Sequence, residues 1–173
     1  MSSAHAEVQV RPGVESDLEA LTDIYNHYVR ETPITFDTVI FTPEERRPWL
    51  LSHPEDGPYR LMVATDGRTR RILGYATSSP YRVKPAYATS VETSVYVAPD
   101  AGRRGIGTLL YDTLFKTLAG EDIHRAYAGI AQPNEASERL HTRFGFRYVG
   151  TYREVGRKFG RYWDVAWYEK DLG

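Results

Sequence analysis

The segment between residues 95 and 108 combines glycine and arginine in a pattern that suits phosphate. Its three glycines are Gly102, Gly105 and Gly107. Because glycine has no Cβ, the backbone can approach a ligand closely at these positions. A helix is predicted to follow directly, and the free N–H groups of its first turn favour an anion, while Arg103 and Arg104 add suitable donors. The segment predicts a pyrophosphate site; the alternative is an ordinary strand–helix turn with surface arginines.

Two common nucleotide motifs do not fit this segment. A Walker A loop ends in Gly-Lys-Ser/Thr, and the segment contains no lysine. The Rossmann dinucleotide fingerprint requires a third glycine where this chain has Leu110. The predicted pyrophosphate site therefore belongs to neither of these nucleotide-binding classes.

An acidic residue lies inside the most strand-like run of the chain, residues 90–97. Alternation along a strand puts Glu92, Ser94 and Tyr96 on one face and the intervening residues on the other. A carboxylate in that position either faces solvent or lines a cleft, and the pattern leaves both open. In a cleft, partial burial raises the pKa of a carboxyl and makes it a better base at neutral pH.

Histidine is the second residue type that can carry protons here. His141 lies on a predicted helix, where its imidazole is suited to proton transfer near neutral pH; the alternative is a surface histidine in a polar contact. The five histidines have no zinc-ligand spacing such as His-Glu-x-x-His, and the chain has no cysteine. The sequence therefore predicts neither a metal site nor a cysteine nucleophile.

These residues must be positioned by a series of strands and helices. Alternating or apolar runs predict strands at 8–10, 59–65, 72–78, 90–97, 125–131, 148–155 and 164–169. Helical spacing of apolar residues predicts helices from residue 16 to just before Thr32, and at 43–51, 106–118 and 135–144. The order β-α-α-β-β-β-α-β-α-β-β, partly as hairpins, predicts a mixed sheet flanked by helices.

Local signals predict how the helices begin, end and pack. Ser16, with a glutamate three residues later, is typical of a capping box, and Thr42 before a proline is typical of a helix start. Gly145 is expected to end the helix that contains His141. The broad apolar face of helix 106–118 is predicted to contain Leu109, Leu110, Leu114 and Leu118.

The composition limits the class of protein. A length of 173 residues fits a single domain, predicted at 1–173 with a core at about 8–171. The net charge of −1 provides no basic field for nucleic acid or anionic membrane. Residues 1–7 are polar, unlike a signal peptide, and no apolar run approaches the ~20 residues that span a bilayer. We expect a soluble, cytoplasmic protein with no nucleic-acid or membrane partner.

The glycine-rich turn resembles the acetyl-CoA pyrophosphate loop of the GNAT acetyltransferase superfamily, usually written Gln/Arg-x-x-Gly-x-Gly/Ala. Gly105 and Gly107 match the two conserved small positions of that pattern. Gly102 stands where the pattern has Gln or Arg, and Arg103 supplies a charge one position later. The departure affects one side-chain contact and leaves the backbone cradle of the pattern intact.

A longer, ordered set of motifs resembles the phosphinothricin N-acetyltransferase branch of that superfamily. The motifs lie at residues 26–28, 36, 49, 80–87, 91–97, 133–134, 140–141, 144–146, 156–161 and 164–165. They include Asn-His-Tyr in the first helix and the basic, aromatic run Pro-Tyr-Arg-Val-Lys-Pro-Ala-Tyr. Because the motifs keep their order from about residue 8 to the end, the resemblance covers most of the chain.

The resemblance implies the GNAT fold, an α/β (α+β) domain whose mixed, mostly antiparallel sheet is flanked by helices and split at the acetyl-CoA site. It also implies acetyl-CoA as co-substrate, no metal, and direct transfer of acetyl to an amine in a ternary complex. In that mechanism Glu92 assists deprotonation of the amine, directly or through water. His141, where many GNAT enzymes carry a tyrosine acid, assists proton traffic.

The resemblance further implies which residues bind acetyl-CoA. They are Val95, Tyr96, Val97, Gly102, Arg103, Arg104, Gly105, Ile106, Gly107, Thr108 and Asn134. The backbone of Val95 and Val97 is expected to pair with the pantetheine arm like an added strand, with an N–H near Val97 as oxyanion donor. Asn134 follows a proline and alternatively caps its helix.

The expected contacts of the amine substrate are Phe36, Arg82, Lys84 and Tyr87. Cationic and aromatic groups together suit an amino acid with a carboxylate and a second anionic or polar head; the alternative is a solvated basic hairpin edge. The implied acceptor is therefore a small amine of the phosphinothricin or methionine sulfoximine type. Two alternatives stay open, a protein N-terminus or lysine as acceptor, and a binding module without turnover.

The C-terminal hairpin carries a basic cluster interleaved with aromatic residues. Its cations are Arg153, Arg157, Lys158 and Arg161. In a chain with almost no net charge, a single basic hairpin favours packing on the sheet or at a dimer seam over nucleic-acid binding. The resemblance implies a homodimer.

Overall fold

The structure is a computed structural model that describes residues 7–173, and residues 1–6 lie outside the described part. The prediction that residues 1–7 are not a signal peptide falls almost wholly on that outside segment. The strands are β1 Val8–Pro12, β2 Leu61–Asp66, β3 Ile72–Pro80, β4 Ser90–Val97, β5 Arg125–Ala131, β6 Arg147–Lys158 and β7 Arg161–Asp171. The α-helices are α1 Leu18–Glu31, α2 Pro43–Leu51, α3 Ile106–Leu118 and α4 Glu135–Arg143. This order of strands and helices confirms the predicted one.

The seven strands of the described chain form one sheet in the order β1-β2-β3-β4-β5-β7-β6. Neighbouring strands are antiparallel except β4 and β5, which are parallel. That parallel pairing joins only Ser90–Glu92 to Arg125–Tyr127, so the two strands part after Glu92. The mixed, mostly antiparallel and split sheet expected from the sequence is confirmed.

Helices cover both faces of the sheet. Thr93 of β4 contacts Tyr111 of α3, and the same tyrosine contacts His141 of α4, so these two helices share one face. Tyr96 points to the opposite face, where its ring meets Tyr25 of α1. Helix α2 packs against α1 on this second face. Successive residues of β4 therefore face two different compartments, as the predicted alternation requires.

The buried face of α3 is narrower than predicted. Leu110, Leu114 and Leu118 are at most 3% exposed and pack into the core, whereas Leu109 is 39% exposed. The prediction for Leu109 is wrong because this residue lies at the rim of the stripe that faces the sheet. Each fully buried leucine contributes about 1.5–3 kcal/mol to stability.

The predicted ends of three helices have different outcomes. Thr42 caps α2 in a capping box, with Glu45 N donating to Thr42 Oγ1 at 3.2 Å, and Gly145 follows α4 with φ +84°, so both predictions are confirmed. The Ser16 capping box is wrong. A 3₁₀ turn at Glu15–Asp17 precedes α1, and the Asp17 carboxylate, ion-paired to Arg11 at 2.7 Å, instead accepts a hydrogen bond from the backbone N–H of Val14.

The C-terminal hairpin is longer than predicted. Strands β6 and β7 extend past the expected bounds of 148–155 and 164–169, and Gly156 lies inside β6 rather than between strands. The pairing of β6 with β7 shifts register between Tyr148 and Gly150 and again between Tyr152 and Gly156. Such bulges interrupt the two-residue alternation that a strand prediction depends on.

Candidate active site

A cleft opens where β4 and β5 part. Its walls come from both strands, the α1–α2 loop and the first turns of α4: residues 93–96, 128–131, Ile34, Asn134, Ser137 and His141. Within residues 7–173, β4 beyond Glu92 pairs only with β3, and β5 beyond Tyr127 pairs only with β7. Each of these two strands therefore presents an unpaired edge to the cleft.

The backbone of β4 offers hydrogen-bonding groups along that edge. Ala98 N donates to Leu73 O at 2.8 Å, so residue 98 and every second residue before it face β3. Val95 and Val97 consequently face the cleft. The Val97 carbonyl accepts a hydrogen bond from the Tyr28 hydroxyl, which leaves its N–H and both polar groups of Val95 directed at the cleft. Tyr96 has its backbone towards β3.

The glycine turn leads into the N-terminus of α3. Gly102 and Gly105 have φ of +78° and +67°, values that a side chain disfavours, and Gly105 is the residue before the first turn of α3. Gly107 serves packing, because a Cβ there would lie 3.2 Å from Leu140 Cδ2 of α4. The first turn of α3, which begins at Ile106, therefore has backbone N–H groups without a partner inside the helix.

The arginines of this region differ in what they contact. Arg103 is exposed, whereas Arg104 Nη1 donates to Asp66 Oδ2 at 2.9 Å. The backbone N–H groups of the β2–β3 turn, with Arg104, lower the pKa of Asp66 well below its usual range. Arg143 of α4 donates to Thr108 Oγ1 at 3.1 Å, so it brings a cation to the first turn of α3. Arg143 was not predicted, because only tertiary packing brings it there.

Glu92 stands at the last paired position before the cleft opens. It lies opposite Ser79 of β3 and Tyr127 of β5, on the α1–α2 face of the sheet. Burial raises the pKa of Glu92, and the nearby positive charge of Arg82 opposes this effect. The outcome is a half-buried carboxylate that binds a proton more readily than an exposed one, which is the property of a base near neutral pH.

His141 lies on the opposite face, buried rather than on the surface of its helix. Its Nδ1 is 2.7 Å from the Ser137 carbonyl, which can only accept, so Nδ1 carries the hydrogen. Its Nε2 is 2.8 Å from the Tyr111 hydroxyl, which also contacts Thr93 Oγ1 at 3.0 Å. Burial lowers the pKa of His141, so the ring is neutral at pH 7. Tyr111 was predicted only as part of a helix.

Asn134 lines the cleft and caps α4, as the alternative interpretation proposed. Its Oδ1 accepts from Ser137 N at 3.2 Å. The cap occupies the oxygen of the amide and leaves the amide nitrogen for a further partner. Asn134 can thus cap the N-terminus of α4 with its amide oxygen and still face a ligand with its amide nitrogen.

A cationic, aromatic pocket lies beside Glu92. The Arg82 guanidinium lies 4.2 Å from the Tyr81 ring centre and 5.9 Å from that of Trp167. The Tyr81 ring in turn packs against the Tyr127 ring, tilted by 32° with 4.8 Å between ring centres, and these residues line a cavity of about 220 Å³ with part of β6. The rest of the predicted substrate segment is more open, since Lys84 is exposed and Tyr87 meets Tyr81 edge-on at 5.6 Å.

The end of the β6–β7 hairpin reaches across to the α1–α2 loop. Phe36 lies directly against Gly156, where a Cβ would come within 2.2 Å of the ring. Lys158 is 5% exposed, and its Nζ donates to the Thr35 carbonyl at 2.7 Å. Three of the four cluster cations, Arg157, Lys158 and Arg161, meet the rings of hairpin aromatics. The hairpin and the loop together cover the α1–α2 side of the cleft.

Two further properties concern the described residues alone. No group of three or more His, Asp or Glu side chains between residues 7 and 173 is arranged to hold a metal ion. No helix in the same range is long and apolar enough to cross a membrane.

Comparison with known proteins agrees with this geometry. Residues 11–167 match the Acetyltransferase (GNAT) domain family. The chain is 83% identical over 167 residues to a phosphinothricin N-acetyltransferase of Streptomyces coelicolor, with 96% of this chain and 98% of that protein covered. It is 31% identical to an L-methionine sulfoximine/L-methionine sulfone acetyltransferase of Pseudomonas aeruginosa, with 94% of each covered.

A solved structure of a GNAT superfamily phosphinothricin acetyltransferase from Sinorhizobium meliloti, in complex with acetyl-CoA, has the same fold. The TM-score is 0.89 at 29% identity, with 96% of this chain and 89% of that chain covered. The chain therefore belongs to the GNAT acetyltransferase family. It is an N-acetyltransferase.

Proposed function

We propose that this enzyme transfers acetyl from acetyl-CoA to the amine of a small, amino-acid-like molecule of the phosphinothricin or methionine sulfoximine type. The observation that carries the proposal is the position of Glu92, a half-buried carboxylate of raised pKa where the sheet splits. The named activities of the two relatives support the substrate class. The reaction is direct attack within a ternary complex.

The described residues fit acetyl-CoA. The β4 edge at Val95 and Val97 suits the amide groups of the pantetheine arm, and the turn from Gly102 to Thr108 suits the pyrophosphate. Arg103 is free to turn towards the phosphates because it is exposed. The coenzyme supplies an acetyl thioester. The Val97 N–H stabilises the carbonyl oxygen as its negative charge develops.

The chemistry needs a proton removed from the amine and a proton returned to the thiolate. Glu92 accepts the amine proton, directly or through water, so that the nitrogen lone pair can form the new C–N bond as the C–S bond breaks. His141 takes part in proton traffic through the Tyr111 hydroxyl, because both of its ring nitrogens are engaged. We expect loss of His141 to reduce turnover less than loss of Glu92.

The acceptor side favours a small molecule over a protein. Arg82 between aromatic rings suits a substrate carboxylate, and Phe36 beneath the hairpin limits the room for a polypeptide. Tyr87 and Lys84 form the outer rim of this acceptor site. A protein N-terminus or lysine as acceptor, and a binder without turnover, are the outcomes against which the proposal is tested.

The remaining proposals concern the whole chain. We infer a single acetyltransferase domain over residues 1–173, a cytoplasmic location and a homodimer. Exposed apolar side chains on β6 support the homodimer: Tyr148, Val149, Tyr152 and Val155 are each more than half exposed. Water-exposed apolar groups concentrated on one edge strand are typical of a protein–protein contact.

The test is release of free thiol from acetyl-CoA in the presence of phosphinothricin, methionine sulfoximine, methionine sulfone and unrelated amines, with peptides as a second panel. We expect release that depends on the amino-acid-like amines and that collapses in Glu92→Gln. Release with peptides alone would move the acceptor to a protein. Binding of acetyl-CoA with no release in either panel would contradict the enzymatic proposal.

A further inference from the structure

A buried histidine on the acceptor face has no part in the mechanism above. His53 follows α2 and is 8% exposed. Its Nδ1 lies 2.7 Å from the Trp49 carbonyl, which can only accept, so the hydrogen of the neutral ring is on Nδ1. Burial lowers the pKa of His53, which favours the neutral ring at pH 7. The second ring nitrogen, Nε2, is therefore an acceptor.

That acceptor is used by a hydroxyl on the neighbouring strand. Ser79 Oγ lies 2.9 Å from His53 Nε2, and because Nε2 carries no hydrogen, the hydroxyl donates. The single hydroxyl proton of Ser79 is thus directed at the imidazole. Any other polar group that approaches Ser79 Oγ meets lone pairs and must itself be a donor.

Glu92 is the polar group that faces Ser79. The two residues are directly opposite in the antiparallel pairing of β3 with β4. Opposed side chains on one face have Cβ atoms about 4.5–5.5 Å apart, so the longer Glu92 side chain can reach Ser79 Oγ. An ionised Glu92 gains no hydrogen bond from Ser79, because the serine proton is committed. A protonated Glu92 can donate to it.

We propose that Ser79 and His53 form a proton-holding pair behind Glu92. The inference rests on the proposed role of Glu92 as base. The Glu92 O–H bond breaks as the carboxyl proton moves to Ser79 Oγ. At the same time the original Ser79 O–H bond breaks, and the serine's own proton moves to His53 Nε2. Carboxylate and imidazolium result, and the proton returns by the reverse steps to water when product leaves. Glu92 is thereby kept ionised during acetyl transfer.

The groups around His53 and Glu92 affect how long the proton stays on His53. The imidazolium would keep its Nδ1 hydrogen bond to the Trp49 carbonyl, and Ser52 Oγ lies 3.2 Å from the same nitrogen. The two nearby cations act in opposite directions: Arg46 of α2 disfavours a charged His53, whereas Arg82 favours an ionised Glu92 and so opposes return of the proton. The balance suits a proton held briefly rather than stored.

The kinetic test uses variants that separate holding a proton from orienting a hydroxyl. In His53→Gln the amide oxygen can still accept from Ser79 but cannot take a proton. We expect His53→Gln and Ser79→Ala to lower kcat about tenfold, with KM for both substrates within about twofold of wild type. Ser79→Thr, which keeps the hydroxyl, should restore most of the kcat lost in Ser79→Ala, whereas Ser52→Ala, at the exposed neighbour, should retain wild-type kcat.

A wild-type kcat in His53→Gln would overturn the proposed proton-holding pair. A change only in KM, or only in the melting temperature, would overturn it as well. A second measurement requires no turnover: ¹⁵N NMR of His53 in the full chain should find the hydrogen on Nδ1, and the Nε2 signal should shift in Ser79→Ala. A hydrogen found on Nε2 would overturn the pair by itself. An enzyme that acetylates no amine would instead contradict the proposed function, and the two failures are thus distinguishable.

Discussion

At Glu92, the burial that raises the pKa also makes the ionised carboxylate unfavourable to the fold. A group whose pKa is higher in the folded than in the unfolded protein stabilises the fold below its unfolded pKa, and this stabilisation is lost as pH rises through the folded pKa. At pH 7 the wild-type protein therefore retains an ionised group at a cost in stability. The proposed role of Glu92 as base supplies a reason to keep it, as is common at active sites.

We therefore expect Glu92→Gln to have opposite effects on activity and stability. It should lower kcat/KM by about 100-fold, because the base is lost, and raise the melting temperature at pH 7 by about 2–4 °C. Thiol-release kinetics and calorimetry at pH 7 and pH 4 measure both quantities. At pH 4, where the wild-type carboxyl is protonated, the stability difference should vanish. A glutamine variant that is both inactive and less stable at pH 7 would contradict the buried-base interpretation.

The pH profile of the wild type follows from the same shift. Because Glu92 must be ionised to accept a proton, kcat/KM should fall as pH decreases through a pKa above the ordinary carboxyl value of 4.5. Removing the positive charge of Arg82, in Arg82→Gln, should move that acidic limb to higher pH, since Arg82 lowers the Glu92 pKa. If the acidic limb, measured with saturating acetyl-CoA, stays at the same pH in Arg82→Gln, the limb reports the ionisation of another group.

Some site residues could be predicted from the sequence, and others only from tertiary packing. Alternation in one strand was enough to put Glu92 and Thr93 on opposite faces, because that information is local. The contact of His141 with Tyr111 joins two helices thirty residues apart, and no spacing within either helix indicates it. For the same reason the position of Arg143 beside α3 could not be predicted.

At the scale of elements, short-range signals determined what could be predicted. Helices α2 and α3 have the predicted bounds, since a threonine cap and a glycine turn mark their starts. The hairpin of β6 and β7 was underestimated because its bulges break the alternation. A register shift depends on the partner strand, which a single sequence segment does not contain.

The hairpin provides a test of how the acceptor side is closed. Gly156→Ala would put a Cβ about where the Phe36 ring lies, so we expect the hairpin and the loop to separate there. The KM for the amine should rise about fivefold to tenfold, with the KM for acetyl-CoA unchanged, because only the acceptor side is disturbed. Gly150→Ala in the same strand is the control, since a Cβ there meets nothing within 4 Å. Equal effects of both variants would contradict a covering role for this contact.

At the scale of the whole molecule, the split sheet separates two tasks. The α3–α4 face holds the glycine turn, His141 and Tyr111, and the α1–α2 face holds Glu92 and the cationic pocket. The cleft between β4 and β5 opens inside the described sheet, away from its two outer edges, and presents unpaired strand edges to both faces. An acyl donor and an amine acceptor can thus enter from different sides and meet at one strand.

The exposed apolar part of β6 borders this acceptor side, because Val149 and Tyr152 also line the pocket beside Arg82. A second copy of the chain seated on this edge strand would bury these two side chains and narrow the pocket. We therefore expect Tyr152→Glu to convert a dimer into a monomer in sedimentation velocity and to raise the KM for the amine, since a buried charge without a partner is unfavourable. Leu51→Glu, at an equally exposed apolar residue on α2, should remain dimeric. A monomeric wild type, or a dimer that survives Tyr152→Glu, would remove β6 as the interface.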